Sequence, residues 1–267
     1  MTIAVPEHHE LRRAALTAAA LVACAGVCVT VVSVLSSNRS HTSLPPPARS
    51  ALAFAHPTPL ASGARSPARW APVRAAATAR RAPHPGALPV ARIDTRTPES
   101  TRNIVQVLGR TRKRAGRLWV RVRLAIVPNG ATAWIPRRAL GGYVFVRTRL
   151  IVDRRHLQAV LFHGRHVVFR ARVGIGKPAW PTPRGVFYVR NRLTRYRSPA
   201  YGPIAFGTSA RSAMLTDWPA GGYVGIHGTD HPELLPGRVS HGCIRMANRD
   251  ILRLGRLMPV GTPLTVR

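Results

Sequence analysis

Acidic residues are scarce in this chain. Nine Asp+Glu stand against 41 Lys+Arg in 267 residues, a formal net charge of +32. So few carboxylates exclude an evenly mixed surface, and the charge seeks polyanions: nucleic acid, acidic lipid headgroups or an anionic cell envelope. Arg supplies almost all of it and is spread over the whole chain, which reads equally as a general Arg bias of solvated faces. Cysteine is nearly absent. Of three, Cys24 and Cys28 lie in an apolar N-terminal stretch. The polar part therefore carries Cys243 alone, which excludes a disulfide framework there and any finger built on paired cysteines. No internal repeat is visible.

What is present falls into five stretches. Residues 1–13 form a flank expected on the cytoplasmic side. Residues 14–35 are uncharged and apolar. About 20 such residues cross a bilayer as a helix, whereas a signal peptide's apolar core runs to about 7–15. An uncleaved transmembrane anchor is expected, a signal or a lipoprotein-like cleavage box at Cys24 being the alternatives. Arg12-Arg13 and Arg39 flank both ends, so charge leaves the orientation to function. Residues 36–98, rich in Pro, Ala, Ser and Arg, read as an extended disordered spacer. Residues 99–141 read as a small β module, and 142–267 as the main domain.

In the module, Ile104–Leu108 is β-prone, Leu118–Leu124 alternates apolar residues with Arg, Pro128-Asn129-Gly130 is a turn, and Trp134-Ile135-Pro136 closes a third strand. The arrangement resembles small Src-homology-like barrels. In the main domain one alternating series runs Val144, Val146, Thr148, Leu150, Val152, and another Val167, Phe169, Ala171, Val173. One helix is expected late, with Asn248 as N-cap, Asp250 in its first turn, a stripe of Ile251, Leu254 and Leu257/Met258, and Pro259 ending it. The fold class is mainly β, sandwich-like, with one late helix.

Chemistry gathers in two short runs, Ile226-His227-Gly228 and Ser240-His241-Gly242-Cys243-Ile244-Arg245-Met246. An unpaired Cys beside a His, with a second His upstream, is what a thiolate nucleophile needs. Gly222–Ile226 leads into His227 as a strand would, and the glycine before Cys243 lets the backbone turn its N–H groups toward a bound carbonyl. A metal reading competes: His227, Asp230, His231, His241 and Cys243 are all ligand types. The usual second cysteine and a finger-like spacing are missing.

These two runs closely resemble the catalytic signature of the L,D-transpeptidase family. The likeness extends over about Tyr143 to Arg267 and takes in Val173-Gly174-Ile175-Gly176 and Thr182-Pro183-Arg184-Gly185-Val186-Phe187. Many members carry Asn two positions after the cysteine; Arg245 stands there in this chain. The resemblance implies Cys243 as nucleophile, His227 as general base, and the Gly228 carbonyl as the group that orients His227. It implies an oxyanion hole from the Gly242 and Cys243 N–H groups, shaped by Ser240 and His241. Arg245 would support the loop or hold a substrate carboxylate.

The implied fold is a β-sandwich-type catalytic domain behind the small module and the anchor. The implied function is peptidoglycan cross-linking: Cys243 attacks the third residue of a donor tetrapeptide stem, D-alanine leaves, and an amine of a neighbouring stem resolves the thioester. No metal or cofactor is required. The expected partners are peptidoglycan stem peptides and the anionic envelope, with no nucleic acid, and the enzyme is expected as a monomer, membrane-anchored with its catalytic domain outside the cytoplasm. Two rival readings stand: an L,D-carboxypeptidase with water as acceptor, and a basic wall-binding protein without activity.

Overall fold

The computed structural model describes residues 67–114, 117–194, 198–215 and 222–267, all within one compact unit, Leu52–Arg267. The expected anchor, its flank and the spacer up to residue 66 lie outside the described residues. Among the described residues no helix is long and apolar enough to cross a membrane.

Seven strands form an antiparallel sheet: β1 (Ala68–Pro72), β2 (Ala77–Arg80), β3 (Pro89–Ile93), β4 (Ile104–Arg114), β5 (Arg117–Arg123), β6 (Thr132–Pro136) and β7 (Val144–Val146), in the order β3-β2-β6-β5-β4-β1-β7. On β5 the alternation holds from Val120 to Arg123, with Val120 and Val122 buried and Arg121 and Arg123 half-buried, while Trp119 before them is buried as well. The two arginines tie strands together instead of only facing water. Arg121 donates to Thr132 Oγ1 (3.0 Å) and Arg123 to Gln106 Oε1 (3.1 Å). Ala71, Val105, Val120, Val122 and Ile135 lie in the core.

This corrects the expected spacer. The expectation of disorder over residues 36–98 rests on want of periodicity, yet Ala68–Ile93 supplies three of the seven strands. Short alanine- and proline-punctuated strands bury few large side chains, so their pattern is faint. Pairing with β4, β6 and β7 supplies the backbone hydrogen bonds that hold them. The module is accordingly larger than 99–141, at both ends.

The second sheet has ten strands: β8 (Thr148–Asp153), β9 (Gln158–His163), β10 (His166–Arg172), β11 (Gly174–Gly176), β12 (Gly185–Leu193), β13 (Ala205–Arg211), β14 (Tyr223–His227), β15 (Gly237–Ser240), β16 (Ile244–Arg245) and β17 (Pro263–Val266). Their order is β10-β9-β8-β17-β12-β13-β14-β16-β11-β15. Strand β12 joins the two halves, pairing with β17 through Gly185–Tyr188 and with β13 from Val189 to Leu193. Both halves share one core, which includes Leu150, Phe169, Phe187, Phe206, Ile226 and Ile244. The sandwich-like expectation thus takes the form of one continuous mixed sheet around a single core.

Two expected series are broken. The run Val144–Val152 divides at Arg147: β7 pairs with β1 of the first sheet and β8 belongs to the second. In β10 a bulge between Val167 and Phe169 shifts the register, so Val167 is 41 % exposed while Phe169 is buried. The helix α1 (Asn248–Leu257) forms as expected, with Ile251 and Leu254 buried and Met258 buried just beyond it. Its cap differs. Ala247 occupies the N-cap position without a side-chain bond, and Asn248 is spent elsewhere, as described below.

The two sheets meet through specific polar contacts. Asn129 exchanges two hydrogen bonds with the Arg211 backbone (2.7 and 2.9 Å), and Tyr188 donates to the Ile104 carbonyl at 3.1 Å. Arg190, 2 % exposed, pairs with Glu99 at 2.7 Å, and Glu99 also accepts from Asn191. Trp70 of β1 packs on Gly261, where a side chain would overlap the indole.

Removing one partner of a buried pair strands the other's charge, which typically costs about 3–5 kcal/mol. Glu99→Ala is therefore expected to destabilise the fold by about that amount in chemical denaturation. The double change Glu99→Leu with Arg190→Met should lose less than Glu99→Ala alone. Equal or greater loss in the double variant would show that the charge is not what matters at this contact.

Candidate active site

Strands β14 and β16 lie side by side and parallel, with Ile226 opposite Ile244 and His227 opposite Arg245. Cys243, one residue before β16, thereby falls beside Gly225. Side chains alternate along a strand, so Gly225 and His227 share a face. A Cβ built at Gly225 would sit 3.7 Å from His227 Cδ2 and 3.8 Å from Cys243 Sγ. The missing side chain thus leaves clear the space between imidazole and thiol. The Gly225 N–H also donates to Cys243 Sγ at 3.4 Å.

His227 is 3 % exposed. Its Nδ1 lies 2.6 Å from the Gly228 carbonyl oxygen. A carbonyl only accepts, so Nδ1 carries the hydrogen and Nε2 is left as the acceptor. The Tyr201 ring lies 4.6 Å away, centroid to centroid. The backbone that presents the Gly228 carbonyl is held from behind: Asn248 Oδ1 accepts the Thr229 N–H at 3.0 Å, and a side chain at Gly228 or Gly202 would run into that same oxygen. The Met246 N–H fixes the His227 carbonyl at 2.9 Å.

Burial pushes His227 from its ordinary 6.5 down to about 4, against the pull of the Gly228 carbonyl and helped by the charge of Arg245. Burial pushes the Cys243 thiol up, partly offset by the Gly225 N–H and by Arg245. At neutral pH the pair rests as thiol and neutral imidazole.

The turn before Cys243 is closed from inside. Ser240, fully buried, donates through Oγ to the Cys243 carbonyl at 2.6 Å and accepts the Gly242 N–H at 3.1 Å. The Gly242 amide, expected to face a substrate carbonyl, is therefore spent on Ser240. Gly242 has φ +113°, where a side chain is strained. Its carbonyl accepts from Thr182 Oγ1 at 2.8 Å, and Thr182 Oγ1 accepts the Gly176 N–H at 2.9 Å. Thr182 thus fastens the cysteine turn to β11. His241 is exposed and stacks on Trp180, ring centroids 4.4 Å apart.

Cys243, His227, Ser240, His241 and Arg245 line a cleft of about 280 Å³, walled by Tyr201, Ser212 and Tyr223. The buried Nε of Arg245 has no hydrogen-bond partner among the described residues. Tyr223 is braced from outside the cleft. Arg190 and Arg211 stand over its ring at 3.8 and 4.8 Å, and its hydroxyl donates to the Ala125 carbonyl of the first module at 3.1 Å. Through Arg190 and Glu99 the module reaches the cleft wall.

The expected residues thus come together, with Gly228 as the orienting carbonyl. The rival metal set does not: among the described residues no three His, Cys, Asp or Glu side chains are placed to hold an ion. Asp230 and His231 are exposed, and His231 pairs with Glu233 at 3.0 Å. Sequence reasoning missed Gly225, Thr182, Asn248, Tyr201 and Tyr223. A glycine within a strand marks close approach, so Gly225 carried a signal. Thr182 lies in a run that carries the family likeness, but its partners and that of Asn248 are distant in sequence, so neither contact was legible.

A family model described as the L,D-transpeptidase catalytic domain matches residues 147–266, beginning at the division between β7 and β8. Among curated proteins, the L,D-transpeptidase YkuD of Bacillus subtilis is 38 % identical over 94 residues, 35 % of this chain and 50 % of that protein. YqjB, described likewise and from the same organism, is 31 % identical over 126 residues, 44 % of this chain and 69 % of that protein. The chain spans about half the length of the first of these relatives. Among solved structures, an L,D-transpeptidase from Mycobacterium smegmatis aligns with a TM-score of 0.37 at 16 % identity, over 57 % of this chain and 91 % of that one.

The depressed His227 has a consequence for stability. Between its ordinary 6.5 and about 4 the unfolded chain binds a proton that the folded chain refuses. Stability is then full above pH 6.5 and falls as pH drops through that window, by about 3 kcal/mol in all. His227→Gln should lack this slope. Parallel stability–pH curves for the two proteins from pH 7 to 4 would overturn the assignment.

Proposed function

This chain belongs to the L,D-transpeptidase family, and from that premise we propose that its cleft transfers acyl groups between peptidoglycan stem peptides through a thioester on Cys243. The observation that supports this best is a neutral His227, its Nε2 left as acceptor by the Gly228 carbonyl, set beside the thiol across a residue with no side chain.

In the mechanism, the donor tetrapeptide lies in the cleft with the bond between its third residue and terminal D-alanine over Cys243. His227 Nε2 takes the thiol proton as the sulfur attacks the carbonyl carbon. Negative charge develops on the carbonyl oxygen. With the Gly242 N–H held by Ser240, the Cys243 N–H is the amide assigned to that oxygen. The C–N bond breaks, His227 returns the proton to the departing D-alanine amine, and a thioester remains. A side-chain amine of a second stem attacks, losing its proton to His227. Sulfur leaves as thiolate and is reprotonated, and the product joins third residue to third residue. Arg245 holds a substrate carboxylate from the side of the cleft, and His241 shapes its rim. The work is placed outside the cytoplasm, where peptidoglycan lies, with the apolar stretch 14–35 as tether.

The measurement is mass spectrometry of products from purified protein and tetrapeptide stems. A cross-linked dimer is expected; tripeptide alone would make water the acceptor and the enzyme a carboxypeptidase. Cys243→Ala should abolish all product. His227→Ala should slow acylation by about 10²–10⁴-fold and His241→Ala by much less. Unimpaired turnover without Cys243 would overturn the mechanism.

A further inference from the structure

The first module carries a hollow that the cleft chemistry does not use. It has a volume of about 500 Å³ and is lined by Arg80, Arg117, Trp119 and Arg138, with small apolar residues such as Ala76 and Pro136 between them. Trp119 is 1 % exposed, and its indole Nε1–H has no hydrogen-bond acceptor among the described residues.

The charge around the indole has one sign. Arg117 and Arg138 are exposed, and neither makes an ion pair or side-chain hydrogen bond among the described residues. Arg80 uses one Nη on the Ala87 carbonyl at 2.7 Å, which holds it in place. Between Ala68 and Val146 the only acidic residues are Asp94 and Glu99, and both are engaged elsewhere, with Arg92 and Arg190. Among the described residues no carboxylate lines this hollow.

We propose that this hollow is an oxyanion-binding site, taking a carboxylate or phosphate group of an envelope polymer between the guanidinium groups of Arg80, Arg117 and Arg138. Guanidinium forks match the paired oxygens of such groups. The buried Trp119 indole forms one wall of the hollow and so reports on what enters it. The apolar lining suits the body of a sugar or short peptide that bears the anion. The site lies on the module and not in the cleft, so it holds the wall polymer while Cys243 works on a stem.

The test is titration of the full chain, followed by the ¹⁵N–¹H signal of the Trp119 indole, assigned by its loss in Trp119→Phe. Inorganic phosphate and acetate are added separately at constant ionic strength, with chloride as the balancing salt. One or both should shift the indole signal in a saturable way, and the tighter probe identifies which oxyanion the polymer carries. Arg117→Gln and Arg138→Gln, both at exposed positions, should each weaken the tighter probe by roughly 5- to 10-fold. Arg155→Gln, an exposed arginine of the second sheet's side, should leave it unchanged. An indole signal that moves with neither probe would overturn the proposal. So would equal weakening by all three arginine variants, which would reduce the effect to the chain's overall charge. If Trp119→Phe does not fold, the arginine comparison decides alone, read by isothermal titration. None of these readouts involves turnover, so the result stands apart from the acyl-transfer reading.

Discussion

The parallel pairing of β14 with β16 is the constraint on which the site depends. It sets Gly225 beside Cys243 and His227 beside Arg245, and a slip of one residue would send His227 to the opposite face. Within that register the neighbouring residues hold the imidazole and the thiol on the same side of the sheet. Gly225 adds no side chain, the Gly228 carbonyl fixes the tautomer, and Ser240 and Thr182 hold the turn that carries the sulfur. The binding parts of the cleft wall are then hung on this pair.

The cost of the arrangement is a resting state that is poorly ionised. Burial disfavours both thiolate and imidazolium, so thiol and neutral imidazole stand together, the starting state that the proposed acyl transfer needs. Arg245 works on both groups, favouring thiolate and opposing imidazolium.

With so few carboxylates, arginine takes roles usually shared among residue types. Arg121 and Arg123 tie strands through neutral acceptors. Arg190 and Arg211 brace an aromatic ring in the cleft wall. Glu99, one of the few acids, is placed where it neutralises a buried arginine at the junction of the two sheets, and this makes the module part of the active unit instead of an appendage.

The sequence by itself determined the mainly β class, the late helix and the two runs around His227 and Cys243 that the fold brings together, because these rest on local signals: alternation of apolar residues, an amphipathic stripe, and two compact motifs. It misplaced the start of the folded part, since Ala68–Ile93 forms strands only through pairing with β4, β6 and β7, and short strands of small residues carry little pattern of their own. It also assigned the Gly242 amide to substrate and Asn248 to a helix cap. Only the tertiary structure decided those points, together with the roles of Gly225, Thr182 and Tyr223. Each depends on a hydrogen bond or a close approach between strands far apart in the chain. Composition and spacing hold no record of which donor a folded neighbour will already have claimed.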